Sequence, residues 1–393
     1  MPKVFQGFIL IGVVTALGAC AQPTNSLAPS PAPTGAAPTP SASPKAVTPW
    51  PSTPHPMAPG VPASGFPSQP EGVTFPTETW PEGDWPAGID RAVVDEAVDE
   101  AFADGGFARV RAVVIIHGGR LVYERYSPNE VNGRSKIMPS FSIAKSFTSV
   151  LVGILVRDGR LAVDAPASVP EWASPEDPRG AITPDDLLRM SSGLPWTQGS
   201  YPNNPDPLGM LASDDAAAYA AAKPLVSEPG TAFLYSDGNT VIIDRVLADL
   251  VGSGHAFREF MRVELLDRIG INRLEMDFDG AGTWLGAWSA DTTARNFAKL
   301  GLVYLRDGTW DGTRILPEGW VDYSRTPSAT NPEYGAGWWL DLLRPEVFYA
   351  IGVLGQVIAV DPAHDLTFVT LATDSQVSLP VGEAILDAFA AGT

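Results

Sequence analysis

Cysteine is almost missing from this chain: among 393 residues only Cys20 carries a thiol. An intrachain disulfide is therefore impossible, and a structural zinc site built on thiolates is excluded. Fold stability must come from core packing. Positive charge is also scarce, with 26 Lys and Arg against 45 Asp and Glu and a net charge of −19. Such a chain is a poor partner for nucleic acid. The acidity is spread over the chain rather than gathered in a tail, which fits a soluble surface. Histidine is rare too. Outside a proline-rich stretch there are His117, His255 and His364, each in a turn-like or glycine-rich context. With no Gly-x-Ser-x-Gly elbow, a Ser-His-Asp triad finds no support. No His, Asp and Glu stand at metal-ligand spacing and no glycine-rich phosphate loop occurs, so neither metal nor cofactor is expected.

The chain also lacks a long apolar run. Phe8 to Leu17 falls short of the roughly 20 residues that span a bilayer. Preceded by Lys3 and followed by Gly18-Ala19-Cys20, it has the form of a secretory signal. Leu17-Gly18-Ala19-Cys20 resembles the lipobox of bacterial lipoproteins, which implies lipidation of Cys20, a membrane partner through that lipid and an extracytoplasmic, cell-envelope location. Residues 21–70 are rich in Pro, Ala, Ser and Thr. They bury too little apolar surface to offset their ordering entropy and should form a semi-rigid spacer. The remaining residues, 71–393, form the catalytic domain, with folded structure expected from about Trp80.

Within that domain, Ile89 to Ala103 has helical periodicity. Ala112 to Tyr126 predicts a hairpin around His117-Gly118-Gly119. Val357–Val360 and Thr367–Leu371 predict a second one, and a helix over about Val381 to Ala390 closes the chain. Between them Ser142–Val156, Pro184–Met190, Asn239–Leu250 and Thr292–Leu305 read as helices. Strands early, helices in the middle and strands late predict an α+β fold: an antiparallel sheet flanked by helices, with a large helical insertion.

Chemistry enters at Ser142-Ile143-Ala144-Lys145. Residues three apart share a helix face, so Lys145 can reach the Ser142 hydroxyl. A serine hydroxyl needs a base before it can attack. The neighbours Phe141, Ile143, Ala144 and Phe147 suggest an apolar setting that lowers the lysine pKa enough for it to serve. The backbone N–H of Ser142, at a helix start, suits a developing oxyanion. With about 0.4 such matches expected by chance in a chain this poor in lysine, the motif needs companions.

It has them. Met190-Ser191-Ser192-Gly193-Leu194, Glu228-Pro229-Gly230 through Phe233, Tyr235 and Ser236, and Gly308-Thr309-Trp310-Asp311-Gly312 resemble blocks of the serine β-lactamase and penicillin-binding superfamily. The pattern is closest to class C β-lactamase-like esterases and 6-aminohexanoate-dimer hydrolases. The resemblance implies that Tyr235 contacts Ser142 and shuttles its proton to the leaving group. Where the family has Tyr-x-Asn, this chain has Tyr235-Ser236-Asp237, which places an acid at a substrate-contacting position. The third motif, Lys-Thr-Gly or His-Thr-Gly in β-lactamases and peptidases, matches Gly352-Val353-Leu354-Gly355-Gln356 here. Gly355 would border substrate and the Gln356 N–H would be the second oxyanion donor. No charge or hydroxyl remains to hold a substrate carboxylate. Tyr201 stands where 6-aminohexanoate-dimer hydrolases carry a substrate-contacting tyrosine. Trp196, Trp288, Trp338 and Trp339 are candidates to line the cleft.

The expected activity is hydrolysis of small amides or esters through an acyl-enzyme. A penicillin-binding D-alanyl peptidase or β-lactamase is the alternative within the superfamily, and a non-catalytic lipoprotein that binds cell-wall peptide is the alternative outside it.

Overall fold

The computed structural model of the chain describes residues 65–103, 109–128, 133–199 and 204–392. Cys20, the signal and most of the spacer lie outside the described residues, as does Tyr201. The architecture is the predicted one. A six-stranded antiparallel sheet has the order β2-β1-β8-β7-β6-β5. Its strands are β1 (Val110–His117), β2 (Arg120–Tyr126), β5 (Trp339–Leu340), β6 (Phe348–Gly352), β7 (Gln356–Asp361) and β8 (Leu366–Ala372). A separate two-stranded ribbon, β3 (Thr309–Trp310) with β4 (Thr313–Arg314), lies in the insertion.

Both faces of the sheet are covered, so alternate residues enter two different cores. Ala112, Val114 and Ile116 of β1 join the cluster built on the insertion, while Val113 and Ile115 join the one against the terminal helices. Those helices are α1 (Arg91–Phe102) and α11 (Ser375–Ala391). Asp90 starts α1 by accepting from the Ala92 N–H. Helix α11 begins six residues before the expected Val381, because Asp374 caps it by accepting from Gln376. Pro380 lies inside the helix, past its first turn, and interrupts the helical hydrogen bonding there.

The insertion carries α2 (Ala144–Arg157), three short helices α3 (Pro184–Leu188), α4 (Pro205–Leu211) and α5 (Ala216–Ala221), and α6 (Asp237–Val251). After these come α7 (His255–Met261), α8 (Asp267–Ile269), α9 (Ala294–Leu305) and α10 (Trp320–Arg325). Helix α2 is buried over almost its whole length, and its apolar sequence leaves no polar stripe. Among the described residues no helix is long and apolar enough to cross a membrane.

One expectation needs correction: packing begins at Phe66, not at Trp80. The Arg325 guanidinium lies 4.5 Å from the Phe66 ring centroid, and Gln69 accepts from Arg306 Nε at 2.8 Å. Phe75 stacks on Trp310 at 4.9 Å, and Thr77 Oγ1 accepts from Trp310 Nε1 at 2.9 Å. A few aromatic and amide anchors fix this strap, and the surrounding proline-rich composition hides them. Gly270, at φ 72°, ends α8 directly beneath it. A methyl group there would collide with the Thr77 carbonyl. Gly270→Ala should lower stability by about 3 kcal/mol through combined strain and displacement, seen as a fall in thermal midpoint. A midpoint within a degree of the parent would mean that the strap yields freely.

Candidate active site

Ser142 does not start an α-helix directly. It sits in a 3-10 turn, Phe141–Ile143, that runs into α2, and Phe141 takes φ 45°. This turn is clamped by the segment 288–291. The Ser140 N–H donates to Asp291 Oδ1 at 2.8 Å, the Ser140 hydroxyl donates to the Trp288 carbonyl at 3.0 Å, and the Ala290 N–H donates to Ser140 Oγ at 2.9 Å. Burial pushes the Asp291 carboxyl above its ordinary value, with the two Ser140 donors pulling against that. On the other side stands the end of β6, where a side chain on Gly352 would collide with the Ser140 carbonyl.

Lys145 reaches its predicted partner, with Nζ 3.1 Å from Ser142 Oγ. Its surroundings are not the apolar ones expected. Nζ also donates to Asp237 Oδ1 at 2.6 Å and to the Ala287 carbonyl at 2.8 Å. All three ammonium protons thus have acceptors. Burial alone would pull this amine down. The Asp237 carboxylate, aided by Tyr235, outweighs burial and holds it above the usual lysine range. The expectation of an amine neutralised by apolar neighbours is therefore corrected: Lys145 is a buried, paired ammonium. Sequence neighbours misled because side chains adjacent on a buried helix point elsewhere, whereas Asp237 arrives from 92 residues away.

Asp237 is turned inward. It opens α6 behind the Ser236 cap, is only 6% exposed, and uses its second oxygen to accept from Gln198 Nε2 at 2.7 Å. Gln198 Oε1 in turn accepts from Trp196 Nε1 at 2.8 Å. Both oxygens of Asp237 are thus engaged inside the protein. Tyr235 lies beside Lys145. Its ring centroid lies 4.9 Å from Lys145 Nζ, backed by Trp339 at 5.4 Å and Tyr334 edge-on at 5.8 Å.

Gly355, in the β6–β7 turn, backs onto the start of α11. Its open side faces α11, where the Asp374 carbonyl and Ser378 leave no room for a side chain. Gly352, at the end of β6, is the glycine packed against Ser140 and Phe141 of the Ser142 turn. Gln356 pairs with Gly352 and so lies near the Ser142 turn, while its side chain folds back to the Ala372 carbonyl at 2.7 Å. At the hairpin tip Val353 is 60% and Leu354 37% exposed. Trp338 is fully buried against Tyr304 and Phe348, away from any cleft, whereas its neighbour Trp339 touches Tyr235. His117 and His364 occupy the sheet end opposite this hairpin, with His364 bonded to Asp361 at 2.6 Å. Among the described residues no group of His, Cys, Asp and Glu is arranged to hold a metal ion.

Sequence reading missed Asp244. Two turns after Asp237 on α6 and fully buried, its carboxyl accepts from Thr148 Oγ1 at 2.8 Å and the Gly286 N–H at 2.9 Å. Burial pushes it well above the carboxylate range. The Gly286 bond sets the peptide whose neighbour, Ala287, receives Lys145. An acid in the otherwise apolar run Val241-Ile242-Ile243-Asp244 was the available signal.

Residues 94–391 match the family described as Beta-lactamase, and the chain belongs to that family. It is a serine hydrolase of the β-lactamase-like class. A 6-aminohexanoate-dimer hydrolase of Paenarthrobacter ureafaciens is 22% identical over 294 residues, spanning 67% of this chain and 72% of that protein. Similar solved structures include a penicillin-binding protein homologue from Caulobacter crescentus, at TM-score 0.59 and 18% identity over 78% of this chain and 99% of that one. A family VIII carboxylesterase superposes at TM-score 0.61 with 16% identity over the same shares. At such identities these structures establish shared fold.

The hold on Lys145 predicts a sensitive position. A methyl group on Gly286 would lie 2.5 Å from Asp244 Oδ2 and 2.7 Å from Thr148 Oγ1. Gly286→Ala should move the Ala287 carbonyl off Lys145 and lower the acylation rate of Ser142 about 100-fold, with far-UV circular dichroism unchanged. A folded variant acylating at the parent rate would show that this carbonyl is dispensable.

Proposed function

We propose that this chain hydrolyses small amides or esters through an acyl-enzyme on Ser142. The observation that carries the reading is the Ser142 Oγ to Lys145 Nζ contact within a polar cluster otherwise closed to water. In this reading the Ser142 proton passes into the Lys145 site as the hydroxyl attacks the carbonyl. The Ser142 N–H and an N–H of the Gly352–Gln356 hairpin hold the oxyanion. Tyr235 protonates the departing amine or alcohol, and water then releases the acyl group. The lipobox-like Leu17-Gly18-Ala19-Cys20 supports a secreted protein held on a membrane surface by lipid on Cys20.

The third motif favours this over a penicillin-binding peptidase or β-lactamase. Val353 and Leu354 present exposed apolar surface where a carboxylate-binding residue would stand. The Asp237 charge, already paired with Lys145, leaves no cation there to attract an acid. An uncharged acyl group fits. The names of the relatives, an amide hydrolase and a carboxylesterase, agree with small acyl substrates.

A fluorophosphonate probe should label the purified protein, and Ser142→Ala should abolish labelling. Against p-nitrophenyl butyrate, the 6-aminohexanoate dimer and nitrocefin, ester or amide turnover should dominate. The butyrate should exceed the p-nitrophenyl monoester of glutarate by roughly tenfold or more in kcat/KM, since the anionic acyl chain meets no partner. Turnover of nitrocefin alone would favour the β-lactamase reading instead.

A further inference from the structure

We propose that Asp237 is the terminal proton acceptor of a Ser142–Lys145–Asp237 relay, a catalytic role that an asparagine at the same position could not fill. The proposal rests on the acyl-enzyme reading and supplies what that reading lacks. An ammonium already carrying three protons cannot take another from Ser142. Some group must first relieve it.

Among the described residues, Asp237 is the one carboxylate in direct contact with Nζ. Its Oδ1 lies 2.6 Å from Nζ, Nζ lies 3.1 Å from Ser142 Oγ, and the three atoms form one continuous hydrogen-bonded chain. The transfer balances as follows. Lys145 gives one N–H proton to Asp237 Oδ1, turning ammonium and carboxylate into amine and carboxylic acid. The amine rotates about Cε–Nζ and takes the Ser142 proton as Oγ bonds to the substrate carbonyl carbon. The electron pair of the carbonyl moves to its oxygen, so the products are an oxyanion, an ammonium and a neutral Asp237. When the tetrahedral species collapses, the leaving group departs with a proton from Lys145 through Tyr235. Asp237 then returns its proton to the amine. Nothing is left over.

Burial makes the first step accessible. Lys145 and Asp237 are 2% and 6% exposed, and only the ionised form of the pair has charges to keep from water, which narrows its advantage over the neutral form. Gln198 holds Oδ2 from the far side at 2.7 Å and keeps Oδ1 aimed at Nζ. The other titratable groups facing the pair are Tyr235 beside Lys145, Tyr334 behind Tyr235, and Asp244 below Lys145. Beyond Gln198, Asp206 accepts from Thr197 and is itself paired with Lys223. Burial raises both Tyr334 and Asp244, and among the described residues Asp237 is the carboxylate that accepts directly from Lys145.

The test is the rate of fluorophosphonate labelling of the full-length protein against pH, a readout of nucleophile formation that needs no protonation of an alcohol or amine. In the parent the relay requires only that Asp237 be ionised, so labelling should hold through neutrality and fall along an acidic limb. In Asp237→Asn the amine must lose its proton to solvent, and the limb should move to higher pH by about one unit or more. Asp237→Glu should recover part of the neutral-pH rate. Gln198→Leu removes a donor from the carboxylate and makes it more basic, so its limb should also rise, by less. This second variant keeps the test decisive if Asp237→Asn does not fold. A limb that moves to lower pH in Asp237→Asn would mean that Asp237 merely keeps Lys145 charged, and one that stays in place in a folded variant would mean that it only positions; either overturns the relay. A parent protein that is never labelled at Ser142 would instead remove the acyl-enzyme reading itself.

Discussion

A positive charge sealed inside the protein opposite a negative one is the constraint around which the catalytic region is organised. Breaking such a pair by removing one partner typically costs about 3–5 kcal/mol, because the other charge is stranded. Lys145 therefore dictates its surroundings. It draws Asp237 from the start of α6, the Ala287 carbonyl from the segment after β-bridged Trp284, and Ser142 from its own turn. Each is in turn fixed by a second group: Asp237 by Gln198, Ala287 through Gly286 by Asp244, and the Ser142 turn through Ser140 by Asp291. Three carboxyl groups thus act in one small volume, and their environments separate them. Asp237 is ion-paired directly with Lys145, while Asp244 and Asp291 are hydrogen-bonded by neutral donors and raised chiefly by burial.

What the sequence made legible was local. Ser142 and Lys145 could be paired because three residues along a helix is a fixed geometry, and the hairpins β1–β2 and β7–β8 announced themselves through β-branched runs and turn residues. Tyr235 came through likeness of motif. The rest depended on contacts between distant segments. Nothing near Lys145 in the chain hints at Asp237 as its counterion, so an apolar pocket was the natural and mistaken expectation. The order of Gly352 and Gly355 across the hairpin turns on which face of β6 looks at α2, a matter of register that motif matching does not see. Strands β5 and β6 went unremarked because both of their faces are occupied, which erases the alternation that marks a half-buried strand.

The hairpin tip also shows how one scaffold can change its clientele. The strand end that touches the nucleophile's turn needs a glycine for clearance, and this chain retains one. The next two side chains project outward and carry no structural duty, so their chemistry is open to variation. Here they are aliphatic. In the proposed reading the scaffold fixes where the acyl group is taken up, and these projecting positions bear on which acyl groups are accepted.

The pairing of β1 with β8 has a consequence for how the chain matures. Strand β1, second from the edge of the sheet, is among the first parts of the domain to be synthesised, and the neighbour β8 that completes its pairing is among the last. Until residues 366–372 arrive, β1 has one open edge and the face bearing Val113 and Ile115 lacks α11. Ser142, Lys145 and Asp237 are all made long before that moment. A nascent or truncated chain would hold every reactive group yet lack the sheet that aligns them, so hydrolytic competence is deferred until the final strand and helix are in place.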